Sequence, residues 1–263
     1  MDLLEPIQQI IQQAPIFILV MFRLAGIMLF APMLGSVNIP IPIKVFVVLI
    51  LSVAVFPLVA PTLAASPPVL PTNLVGAAFG VAGEMLIGLT MGFALLLMFI
   101  GIQLGAEMVS QQMALSLARV IDPMTNISTE LISQLYLLMA TLIYILMNGH
   151  HILIRSLVHT FQVVPLMGAG FDQGIIATFV SILTSAFMLG IRIAGPALAA
   201  IFLATIAMGF ISRTMPQLNI LAAGFPIRIC LALVLMIASL GTVFLLVQDT
   251  ILNVLSQIGT FFI

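Results

Sequence analysis

Long apolar runs separated by short clusters of proline, glycine and polar residues dominate the chain, and no segment alternates like a strand over a useful length. The first run, Ala14 to Leu34, is interrupted only by Arg23 and is long enough to cross the ~30 Å hydrocarbon layer as a helix. Pro32 ends or kinks it. The spaced prolines of Asn38 to Lys44 favour an extended lead into a second apolar helix over Val45 to Leu58. Five prolines at 57, 61, 67, 68 and 71 then predict a stiff, non-helical connector from Pro57 to Thr72.

From Asn73 to Met113 there is no proline and the pattern stays helical. At about 1.5 Å per residue such a helix is about 60 Å long, roughly twice the hydrocarbon thickness, so it is expected to be broken, strongly tilted or partly outside a bilayer. Ala118 to Thr129 reads as a polar turn, Ile127 to Met147 as a fourth apolar helix, and His150 to Phe161 as a mildly amphipathic one. A Gly-containing loop over Pro165 to Gly174 precedes a run from Ile175 to Ile211, which Arg192, Gly195 and Pro196 are expected to split into two pieces. The last run begins near Leu218, contains Pro226 and Arg228, and reaches Ile263. About six hydrophobic helical elements result, with no detachable soluble domain: the fold class is all-α, a multi-helix membrane-associated protein.

Composition agrees with this pattern and narrows the function. Of 263 residues, 63% are hydrophobic and 6% charged, and the mean hydropathy is +1.35, whereas roughly a quarter of an ordinary soluble domain is charged. Seven basic and eight acidic side chains give a formal charge of −1, which leaves no surface for nucleic acid and no cationic patch for anionic lipids. The N-terminal residues carry Asp2 and Glu5 but no Lys or Arg, so they lack the positive region of a cleavable signal peptide and are expected to stay on the mature protein. With no Trp and only Tyr136 and Tyr144, the chain also lacks the aromatic belt common at lipid interfaces.

Enzyme chemistry finds little support. There is no H-E-x-x-H motif, adjacent His150 and His151 are expected to point to opposite sides, and no acid or cysteine stands near as a third metal ligand. Cys230, the single cysteine, stands among apolar residues that favour the inert thiol. Neither a cofactor nor a metal is expected.

The buried charges are more informative. Arg23, Lys44, Glu84, Arg192 and Arg228 lie within or at the edge of apolar helices, where each costs about 2.5–3.5 kcal/mol on insertion scales. Pairing, snorkelling or a wet cavity is therefore expected, with Arg23 and Glu84 as candidate partners and a proton relay as the alternative. Three glycine pairs at helical spacing, Gly76/Gly80, Gly88/Gly92 and Gly101/Gly105, let neighbouring backbones approach. At about 100° per residue the second pair is rotated by roughly 120° from the others, so a continuous helix is packed from at least two sides. Gln103, Glu107 and Gln111 form a polar stripe, either along an aqueous path or subunit seam, or where a helix leaves the headgroups. Arg23-Leu-Ala-Gly26 recurs as Arg192-Ile-Ala-Gly195, and Pro42-Ile-Lys-Val45 as Pro226-Ile-Arg-Ile229. In an apolar chain built from few residue types, chance suffices for such an echo.

Several blocks taken together resemble the FliR family of membrane export-gate proteins in the flagellar type III secretion system, which has T-type counterparts in virulence injectisomes. They are Gly195-Pro-Ala-Leu-Ala-Ala200, Ala207-Met-Gly209, Arg213-Thr-Met-Pro216-Gln217-Leu218-Asn219-Ile220 and Gly224-Phe-Pro-Ile-Arg228. Ala31-Pro-Met-Leu-Gly35, Gly101-Ile-Gln-Leu-Gly105-Ala-Glu107 and Gln111-Gln-Met-Ala-Leu-Ser116 are similar to the same family, and the resemblance runs over nearly the whole chain. It implies one FliR-like chain in a helical hetero-oligomeric export gate with several FliP-like and FliQ-like subunits and an FlhB-like one, in the bacterial inner membrane at the flagellar basal body. Residues 1–173 would be the FliP-like helices and residues 174–263 a FliQ-like helical hairpin. A loop at about 108–122, with Gln111, Gln112, Met113, Leu115 and Leu117, would plug the closed channel through which unfolded flagellar proteins cross the membrane. An injectisome subunit and a small-solute secondary transporter are the alternatives, the latter suggested by broken helices and inserted charges.

Overall fold

The computed structural model describes residues 4–32, 34–36, 39–65, 71, 73–113, 130–168, 173–215 and 220–260. Seven α-helices account for nearly all of them: α1 (Leu4–Phe30), α2 (Ile41–Ala65), α3 (Leu74–Gln112), α4 (Glu130–Leu146), α5 (Gly149–Val163), α6 (Gln173–Thr214) and α7 (Ile220–Thr260). No strand occurs among the described residues. Five helices, α1, α2, α3, α6 and α7, are long and apolar enough to cross a membrane, or six spans if α4 and α5 are one broken span.

Three expectations are corrected: the start of α2 at Val45, the non-helical connector from Pro57, and the split of the run from Ile175 to Ile211. The helix α2 starts at Ile41, ahead of the expected Val45, and runs through Pro57 and Pro61 to Ala65. Proline is tolerated in a first turn, where no intrahelical N–H bond is lost. Inside the helix each proline leaves one carbonyl without its donor, whereas unwinding an apolar segment would strand many backbone groups at once. The prolines therefore stay in the helix, and Pro57 and Pro61 are both exposed. The same balance makes α6 one helix of 42 residues through Pro196, not two pieces, and carries α7 through Pro226. The third apolar stretch is likewise unbroken, at 39 residues.

The chain forms two compact units. The first comprises Met1–Leu96, Asn148–Ile182 and Leu252–Ile263. In it α1, α2, the first part of α3 and α5 bury Leu19, Val20, Leu24, Ile27, Met91 and Leu95, and α2 packs on α1 and α5. Aromatic contacts flank this core, with the Phe17 and Phe56 rings meeting edge-on 5.6 Å apart and tilted pairs at Phe30 and Phe93, 5.5 Å, and at Phe93 and Phe179, 5.9 Å. Asn148 opens α5 with φ 55°, a left-handed conformation that asparagine adopts more readily than most residues.

The second unit comprises Leu97–Met147 and Leu183–Ile251, with the second part of α3, α4, and most of α6 and α7. Here α3 and α6 cross backbone to backbone. A side chain at Gly105 would meet the Gly190 carbonyl at 2.5 Å, one at Gly190 the Gly101 carbonyl at 2.6 Å, and one at Gly101 the Ala186 carbonyl. Only glycine permits that approach. Phe99 and Tyr144 meet edge-on, 5.9 Å apart, where α3 faces α4.

Candidate functional site

The most elaborate polar constellation among the described residues lies inside the first unit, where the fully buried charges Arg23 and Glu84 meet. Both stand on apolar helices, α1 and α3, and two glycine contacts set the distance between those helices. A side chain on Gly26 would strike the Met85 carbonyl and one on Gly88 the Arg23 carbonyl, while Gly92 lies 2.7 Å, by the same measure, from the Ile27 carbonyl. With the backbones this close, Arg23 Nε donates to Glu84 Oε2 at 2.5 Å. The remaining guanidinium donors turn to α5 and the segment after it: Nη1 donates to Thr160 Oγ1 at 3.1 Å, and Nη2 to the Val164 carbonyl at 3.4 Å. The Phe161 ring covers the cation, with its centroid 4.1 Å from Cζ.

Glu84 is satisfied from two sides. Its Oε1 accepts from the Met167 backbone N–H at 2.9 Å. That bond holds Met167 in the left-handed region, at φ 68°, and the methionine thioether lies over Gly80, where a side chain would collide with it. Every guanidinium nitrogen and both carboxylate oxygens have a partner, and a buried pair satisfied in this way can lock helices together. The cluster thus joins α1, α3, α5 and the turn at Met167 at one point. Thr160, Phe161, the Val164 carbonyl and Met167 carried no signal in the sequence beyond their place in an amphipathic segment and the loop after it.

The other expected residues lie elsewhere. Lys44 is half-buried and its Nζ donates to the Gly35 carbonyl at 3.1 Å, tying the start of α2 to the turn before it. Arg228 is half-buried, and its buried Nε has no partner among the described residues. Arg192 is not buried within the chain: it stands near the middle of α6 with its side chain exposed, because the packed side of α6 is the one carrying Ala186, Gly190 and Ile193. Along the end of α3, Gln103 and Gln111 are exposed and Glu107 is half-buried, with Gln111 Nε2 3.5 Å from Glu107 Oε1. Gln112 is exposed and Met113 is buried, while Leu115, Leu117, Pro216, Gln217, Leu218 and Asn219 lie outside the described residues.

Two smaller expectations are corrected. His150 and His151 do not diverge: in the first turn of α5 neighbouring residues are about 100° apart, and the two rings converge to 4.2 Å. Cys230 is exposed on this chain and not enclosed by apolar side chains. Among the described residues no group of three or more His, Cys, Asp or Glu could hold a metal ion.

A sequence profile of the bacterial export proteins, family 1, matches residues 14–254, which takes in Arg23, Glu84 and the other residues of the site just described. The chain belongs to that family. Curated relatives of this family 1 export protein are similar along most of their length. The flagellar biosynthetic protein FliR of Bacillus subtilis (strain 168) is 29% identical over 262 residues, 95% of this chain and 98% of the relative. FliR of Caulobacter vibrioides is 28% identical, over 88% of this chain and 90% of the relative, and FliR of Escherichia coli (strain K12) is 26% identical, over 83% and 81%. The family match and the helices long enough to span a bilayer make this a membrane-spanning export-family protein.

Proposed function

We propose that this chain is a structural subunit of a flagellar type III protein export gate in the bacterial inner membrane, at the flagellar basal body. It acts with FliP-like, FliQ-like and FlhB-like subunits to form and plug the channel for unfolded flagellar proteins. The observation that carries the reading is the family match from residue 14 to residue 254, in which the similar relatives bear the name of a flagellar biosynthetic protein. In this reading residues 1–173 are the FliP-like part, residues 174–263 are the FliQ-like hairpin, and the segment 108–122 is the plug.

The physical form of the chain supports the role. Of the apolar span in α3, 61% is buried within the chain, but only 28% in α6 and 17% in α7. Most span residues of these two long helices are thus partly or fully open, as suits a subunit enclosed by sister helices. The polar side chains of Gln103, Glu107, Gln111 and Gln112 at the end of α3 fit a wet path better than a lipid face. Conduction is passive in this account, and no catalytic step is required of the chain. Deleting Ser110 to Leu117 in cells with the complete export apparatus is expected to make the membrane leaky to small ions and solutes. Conductance unchanged from wild type removes the plug from the account.

A further inference from the structure

The echo between Arg23-Leu-Ala-Gly26 and Arg192-Ile-Ala-Gly195 gains meaning from the surroundings of its two copies. In the first, Arg23 takes a carboxylate from Glu84, and Gly26 and Gly88 bring the two backbones together four residues beyond that acid. In the second, Arg192 is exposed, no hydrogen bond or ion pair reaches its side chain among the described residues, and nothing lies within 4 Å of where a side chain on Gly195 would stand. The first copy is occupied and the second is open.

The open copy is in an awkward position for lipid. Arg192 stands well inside the apolar span, roughly 22 Å along the helix from its start at Ala177 and roughly 33 Å from its end at Thr214, so apolar helix extends for about four turns or more on either side of the charge. Pro196 lacks the N–H that would pair with the Arg192 carbonyl in a regular helix, so a second polar group loses its usual donor at the same level. No acid of the same hairpin is available in number: beyond Gln173 the sequence holds Arg192, Arg213 and Arg228 but only Asp249. Flanking residues at one helical spacing, Met188, Ala199 and Phe202, are also exposed, so a continuous apolar stripe surrounds the charge.

We propose that this stripe of α6 docks an apolar helix of a different subunit that carries a carboxylate four residues before a small residue, in the manner that Arg23 and Gly26 receive Glu84 and Gly88. The acid pairs with Arg192, and the small residue lets its helix lie against Gly195. The inference rests on the reading of the chain as one subunit of a hetero-oligomeric gate. Charge complementarity, together with the open backbone at Gly195 three residues on, favours such a helix over lipid. A second copy of this chain fits less well, since its mid-helix acid, Glu84, is already engaged by Arg23.

The test uses the full-length chain in membranes that contain the whole export apparatus. Gly195→Leu has room within its own chain and raises helix propensity, so it should accumulate at the wild-type level. Its recovery of partner chains in a tagged purification is expected to fall by about tenfold or more. Arg192→Gln should show the same loss and Arg192→Lys should restore at least half of the recovery, which keeps the test sound even where Gly195→Leu accumulates poorly. A photo-cross-linking amino acid in place of Ala199 should join an apolar helix of another chain that has Asp or Glu four residues before Gly, Ala or Ser. Wild-type recovery by Arg192→Gln overturns the proposal, as do adducts to lipid alone, to a second copy, or to a helix without the acid. If the wild-type chain itself recovers no partner, the gate reading fails and takes the docking proposal with it, a result distinct from the loss of docking alone.

Discussion

Arg23 shows how one residue can organise a membrane protein. Its charge is costly inside an apolar helix, and it is held there by a carboxylate, a hydroxyl, a carbonyl and an aromatic face from three other segments. Removing one partner leaves the other charge buried and unpaired, a loss of about 3–5 kcal/mol. Arg23→Leu or Glu84→Leu alone is expected to lower the amount of folded chain in the membrane sharply, and the double replacement to recover part of it, as measured by protease resistance of the chain in isolated membranes. Equal, additive losses in the double variant would mean that the two residues act separately. The sequence exposes Arg23 and Glu84 as charges in apolar runs, and their distance apart says nothing against pairing. Thr160 and the Val164 carbonyl were not legible, because a hydroxyl in a helix and a backbone oxygen look the same whether or not a cation lies beside them.

Among elements, glycine spacing proved more telling than proline. Gly88 and Gly92 meet α1, whereas Gly101 and Gly105 meet α6, so the rotation between the pairs along α3 corresponds to two different neighbours. Pro57, Pro61 and Pro196, read as breaks, instead remain inside α2 and α6, since the local rule for water does not count the backbone groups that unwinding would strand in an apolar medium. The glycines divide into those that are packed and those that are open, and substitution should separate them. Gly105→Leu, which drives a side chain into the Gly190 carbonyl, is expected to leave little protease-resistant protein. Gly241→Leu, with nothing within 4 Å, should leave the chain's own fold at the wild-type level. Equal resistance of the two variants would refute the close α3–α6 crossing.

For the whole molecule, the scarcity of charge and the missing aromatic belt describe a chain that meets few aqueous interfaces, and the open faces of α6 and α7 say where the remaining apolar surface lies. Phe202, Phe210 and Ile237 are each about two-thirds exposed, a display that requires lipid or other subunits to cover it. Helix number and the family were legible from the sequence, because apolar runs and short motifs are local features. The covered and uncovered faces were not, because they depend on which side of each helix the chain itself buries. Whether subunits or lipid cover those faces is what separates a gate component from a transporter that works alone. The most direct measurement is purification of the tagged chain from native membranes under mild detergent, with its partners identified and counted. The account predicts one copy of this chain with several FliP-like and FliQ-like chains; recovery as a monomer or a homo-oligomer that retains its fold would contradict it.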